Sequence, residues 1–109
     1  MNIAEKILAC PLKTATMEVP EWGVTVGIRE ITAAERVKFG EDAKKTPALA
    51  VVRLVIATLT DPQTGGKVFE PAHQDALLQK SGAVMDRVVT EILKLSAMTE
   101  DKAEEVEKN

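Results

Sequence analysis

Between Ala48 and Leu59 only Arg53 and Thr58 interrupt a run of alanine, leucine, valine and isoleucine. A helix written this way has almost no polar face to give to water, so it must be enclosed by the rest of the chain or by another molecule. It is too short to span a bilayer, which takes roughly 18 apolar residues, and no other run in the sequence comes nearer. The segment therefore reads as the central helix of a core or as an interface helix. A chain of 109 residues makes one domain, and a domain of that size has difficulty surrounding such a helix completely.

The flanking sequence supplies boundaries for this helix. Thr46-Pro47 is a start signal, with threonine as the cap and proline at the first helical position, where its missing N–H costs nothing. The other end is closed by Asp61-Pro62-Gln63-Thr64-Gly65-Gly66-Lys67, a dense cluster of turn formers that must lie on the surface. Val68 and Phe69 then return to the core.

Upstream, Ile3, Ile7 and Leu8 share a face of a short helix that Pro11 stops. Met17 and Val19 then alternate with Thr16 and Glu18, and after Pro20-Glu21-Trp22-Gly23 the alternation resumes with Val24, Val26 and Ile28. Two strands joined by a reversing turn fit this pattern, a β-hairpin over about residues 14–29. Thr32-Ala33-Ala34-Glu35 has capping-box spacing, so a helix should begin at Ala33, run to about residue 43 and turn Ala33, Ala34 and Val37 toward the core. Helices are also expected over about 47–60, 71–80 and 83–97, the last carrying Val84, Met85, Val88, Val89 and Ile92. The fold class is thus α+β, mainly α-helical, an N-terminal β-hairpin packed on about four helices in one globular domain over residues 1–98. Residues 99–109 hold five acids against two lysines, with Val106 the sole sizeable apolar side chain, so a frayed or disordered tail is expected.

Little in the sequence points to catalysis. Cys10 and His73 are the sole cysteine and histidine, so neither a disulfide nor a Cys/His zinc site can form within one chain, and any nucleophile–histidine pair would have to use His73. That residue sits in the first turn after Pro71, a setting that reads as capping. Gly65-Gly66-Lys67 lacks the earlier glycine and the following Ser or Thr of a phosphate loop, and Asp61 to Glu70 lacks the alternating oxygens of a calcium loop. No enzyme activity, cofactor or metal is expected. A net charge of −3 disfavours nucleic acid, whose binding draws on clustered Lys and Arg. The first residues show no secretory leader and no segment suits a membrane, so a cytosolic protein is expected. Trp22, at a hairpin turn, is either a core plug or an exposed anchor for another protein.

Taken in order, Pro20-Glu21-Trp22-Gly23, Val26 and Arg29-Glu30-Ile31-Thr32-Ala33-Ala34-Glu35-Arg36 resemble the opening pattern of the tail assembly chaperones of long-tailed, lambda-like bacteriophages. In that family a β segment runs into an R-E-L-T-A-x-E-R helix start; here Ile31 replaces the leucine. Leu59-Thr60-Asp61-Pro62, Gly65 to Phe69 and Leu93 to Met98 are similar to the family's central loop and last helix, so the resemblance covers roughly residues 14 to 109.

The resemblance implies a non-enzymatic protein that self-associates as a homo-oligomer in a ring or spiral, binds and solubilises the tape-measure protein, and recruits tail-tube subunits. It implies work in the host bacterial cytoplasm during assembly and absence from the mature virion, with no nucleic acid or membrane partner. The contact groups it implies are Trp22 with Val24 and Val26 of the hairpin, Leu54 and Val55 of the apolar helix, and the acidic tail. A minor structural tail protein, in tail completion or beside the tube, and a small cytosolic regulatory interaction protein are the alternatives.

Overall fold

The computed structural model describes residues 2–97, and among them five α-helices and a three-stranded antiparallel sheet form an α+β, mainly helical fold. The expectation for residues 99–109 lies outside the described residues. At the centre is helix α3 (Pro47–Thr58), with Pro47 in its first turn. Helices α2 (Ala33–Lys45), α4 (Gln74–Leu77) and α5 (Gly82–Leu95) pack around it. Ala50, Val52, Leu54, Val55, Ile56 and Thr58 are all buried along its length. The Thr58 hydroxyl satisfies itself by donating to the Leu54 carbonyl at 2.7 Å. Arg53 escapes sideways to Asp42 of α2, Nη1 to Oδ1 3.0 Å.

Strands β1 (Thr14–Val19) and β2 (Val24–Arg29) pair antiparallel, from Thr14 opposite Arg29 to Val19 opposite Val24. A 3₁₀ turn, Pro20–Trp22, joins them and closes on Gly23, which is left-handed at φ +67° and donates its N–H to the Pro20 carbonyl at 3.0 Å. The Pro-Glu-Trp-Gly order thus matches the fixed φ and the positive φ that this reversal requires. Val19, Val26 and Ile28 face the core with Leu59, Val88 and Ile92.

The chain departs from the sequence expectation in five places. The helix expected over 47–60 stops at Thr58, and Leu59–Thr60 forms a third strand, β3, paired antiparallel with β2 through Gly27 opposite Thr60 and Ile28 opposite Leu59. An unbroken apolar run looks the same as helix or strand, and the free edge of β2 decides the matter. A Cβ on Gly27 would collide with the Thr60 hydroxyl, so the glycine is what lets β3 approach.

The second departure is over 71–80, where a 3₁₀ turn, Pro71–His73, leads into the four-residue α4, and Leu77 alone of that short helix is buried. Third, Thr46 does not cap α3 with its side chain; its hydroxyl turns back toward the Asp42 carbonyl at the end of α2.

Fourth, α2 is rotated: Val37 is exposed, Ala33 and Ala34 are not buried, and Glu35, Phe39 and Asp42 turn inward instead. Fifth, Val68, expected to return to the core, is 40% exposed, whereas helix α1 (Ile3–Ala9), capped by Asn2, forms where expected and has no buried residue.

Candidate protein-interaction site

The rotation of α2 follows from the segment Arg29 to Arg36. Arg29 leaves the end of β2 and meets Glu35 with two parallel hydrogen bonds, Nη1–Oε1 and Nη2–Oε2, both 2.8 Å. The same guanidinium donates to the carbonyls of Glu30 at 2.9 Å and Ala57 at 2.8 Å. Glu35 in turn completes the capping box: its Oε1 accepts the Thr32 N–H at 2.9 Å, and Thr32 Oγ1 accepts the Glu35 N–H at 3.1 Å. One pair therefore joins β2, the start of α2 and the end of α3. The hydrogen bonds from Arg29 hold the Glu35 carboxyl down at about 2, against the opposing effect of burial.

The remaining polar residues of the segment are also committed. Glu30 accepts the Lys13 N–H at 2.9 Å and returns its own N–H to the Lys13 carbonyl. Arg36 donates to the Ser96 carbonyl at 3.0 Å, fastening α2 to the end of α5. On the far side of α2, burial pushes the Asp42 carboxyl up, but Lys38 and Arg53 outweigh it and leave it below its usual value.

At the opposite end of the hairpin, Glu21 makes a two-pronged pair with Arg87 of α5, at 2.6 and 2.7 Å. The Arg87 hydrogen bonds hold the Glu21 carboxyl at about 2. This clamp seats the turn so that Trp22 lies half-buried against the core edge. Beside it opens an apolar hollow of about 480 Å³, walled by Trp22, Val24, Val26, Val68, Phe69 and Leu77, with Glu21 and Lys80 at its charged edge.

Of the five residues put forward from sequence, the structure brings three together. Trp22 and Val24 reach solvent in the hollow, and Val26 forms its floor. Leu54 and Val55 are 4% and 0% exposed and point into the core, so a contact role for them is corrected to a packing role. Sequence reading missed Val68, Phe69 and Leu77 as neighbours of Trp22. Only the Gly65-Gly66 turn hinted at it, by returning the chain across the sheet; Thr60 and Lys67 form a bridge there.

The residues with catalytic chemistry are spent on local structure. His73 Nδ1 accepts the Glu70 N–H at 2.9 Å, and its ring stands edge-on to Phe69. In the loop, Asp61 accepts from Gln63 at 2.8 Å through its side chain and from Gly65 at 2.7 Å through its carbonyl, closing a tight turn. Among the described residues no helix is long and apolar enough to cross a membrane.

No family model and no curated protein matches the sequence. The solved structure of the bacteriophage HK97 tail assembly chaperone does match: the TM-score is 0.66 at 26% identity, covering 84% of this chain and 91% of that one. In fold and over most of its length, this chain is thus similar to a phage tail assembly chaperone. The segment through which this chain resembles the family is, in this structure, a fastening between strand, helices and chain end. Its arginines and glutamates are spent on contacts within the fold, and the hollow beside Trp22 is a separate apolar surface reached by solvent.

Proposed function

We propose that this chain acts without catalysis, self-associating, covering apolar stretches of the tape-measure protein and recruiting tail-tube subunits while the tail is built. The observation that carries this reading is the match to a tail assembly chaperone over most of both chains. The hollow beside Trp22 supports it, because a chaperone of this kind needs apolar surface that is accessible yet too small to cause its own precipitation. Each Å² of apolar surface removed from water stabilises the complex by about 25 cal/mol, so a client segment lying across Trp22 and Val24 gains affinity without any nucleotide or metal. The proposed place of action is the host cytoplasm, and the mature particle lacks the protein.

Co-expression with tape-measure fragments tests this reading. Soluble complexes with this chain, weakened by Trp22→Ala at unchanged fold, are the expected outcome. Fragments that stay insoluble with it, together with its recovery from purified particles, would favour a minor structural tail protein instead.

A further inference from the structure

The apolar surface beside Trp22 does not end at α4. A second hollow, of about 180 Å³, lies among α3, α4 and α5, walled by Ala48 and Val51 of α3, Leu78 just past α4 and Met85 of α5. Leu77 and Lys80 line both hollows, so the two are neighbours on one surface, parted by the turn that leaves α4. Ala48 is exposed, and Val51 and Leu78 are half-buried, so apolar groups reach solvent on the far side of that turn as well as on the Trp22 side.

Charge along this surface is uneven. Glu21, on the outer rim, is neutralised by its two-pronged pair with Arg87. Lys80 is exposed between the hollows and makes no ion pair with a described residue; the same holds for Asp86, at the rim of the second hollow.

We infer that one segment of a client protein occupies both hollows, with an apolar side chain in each, a carboxylate between them against Lys80, and a basic group beyond, against Asp86. This rests on the reading of the Trp22 hollow as the client surface, and adds to it a second anchor and an order of charges. Apolar burial is non-directional and sets neither orientation nor register. Opposite charges placed in a row accept a segment one way round and penalise the reverse. An exposed ion pair adds little affinity, so the hollows hold the client while Lys80 and Asp86 select which segment enters and in which direction.

The probe is a tape-measure fragment that the wild-type chain keeps in solution, titrated calorimetrically against whole-chain variants, with circular dichroism as the check on folding. Lys80→Glu should weaken binding roughly tenfold at low salt, and less as salt rises, because it turns an exposed attraction into a repulsion. Ala48→Gln and Leu78→Gln set polar groups in the second hollow and should weaken binding at every salt concentration. When each Asp and Glu of the fragment is replaced by lysine in turn, one replacement should lose affinity for the wild type and regain it with Lys80→Glu.

If Trp22→Ala weakens binding while the Lys80, Ala48 and Leu78 variants bind like the wild type, the second anchor is overturned and the proposed function stands. A wild type that takes up no fragment overturns both. Variants that bind the fragment normally but change the mass of the chain alone in light scattering would give the second hollow to another copy, which also overturns the inference.

Discussion

The backbone N–H of Ile31 donates to the hydroxyl of Ser96 at 3.0 Å, joining positions 65 residues apart. That hydroxyl donates onward to the Ile92 carbonyl at 2.8 Å, and the Ser96 carbonyl accepts from Arg36, so one buried serine ties the start of α2 to the end of α5. Ser96→Ala leaves the Ile31 N–H buried without a partner and should cost about 1–3 kcal/mol. A urea titration should show a lower midpoint at unchanged slope.

Glu35 combines an ion pair with a helix cap, so Glu35→Ala should destabilise by about 2 kcal/mol, from a lost cap and an orphaned guanidinium. Glu35→Gln, which keeps the shape, should lose less. Thermal unfolding of the two variants against the wild type orders these effects.

Acid should find the same group. The folded Glu35 and Glu21 carboxyls sit at about 2, against 4.5 without the fold, so the unfolded state binds protons first. Their stabilising contribution is fully present above pH 4.5 and drains away as the pH falls toward 2. Melting temperatures measured through that window should drop for the wild type and drop less for Glu35→Gln; parallel curves would mean that the pair carries no linkage.

Two backbone positions predict opposite signs. Gly23 is left-handed at φ +67° and Ala97, just past the end of α5, is left-handed at φ +59°. Gly23→Ala should cost about 1 kcal/mol, and Ala97→Gly should contribute roughly 0.5–1 kcal/mol, because a Cβ is strained in that region. Chemical unfolding of both variants checks the pair.

Gly27→Ala should be worse than its small size implies, at about 1–3 kcal/mol, since the new methyl meets Thr60. Adding Thr60→Ala should restore part of the loss. Full additivity of the two substitutions would show that the contact between β2 and β3 is not the cause.

How much of this was legible in residue order differs from element to element. Pro20 through Gly23 specify a reversal because their backbone preferences are local, and Thr32 with Glu35 specify a helix start because the capping box closes within four residues. The apolar run from Ala48 announces burial by composition alone. Resemblance pointed to the family, although Arg29 and Arg36 look in sequence like any surface charges.

The rest depended on contacts between distant segments. Leu59 and Thr60 became a strand because β2 offered an unfilled edge, and no pattern within those two residues carries that information. Val37 faces water because the Arg29 pair sets the rotation of α2, overriding a weak apolar periodicity. Whether Leu54 and Val55 or Trp22 and Val24 meet solvent is a question of what surrounds them. Local chemistry, acting over a few residues, determined the turns, caps and apolar content of this chain. Tertiary structure decided which apolar surface stays open, because burial belongs to the packing of whole elements and not to any one of them.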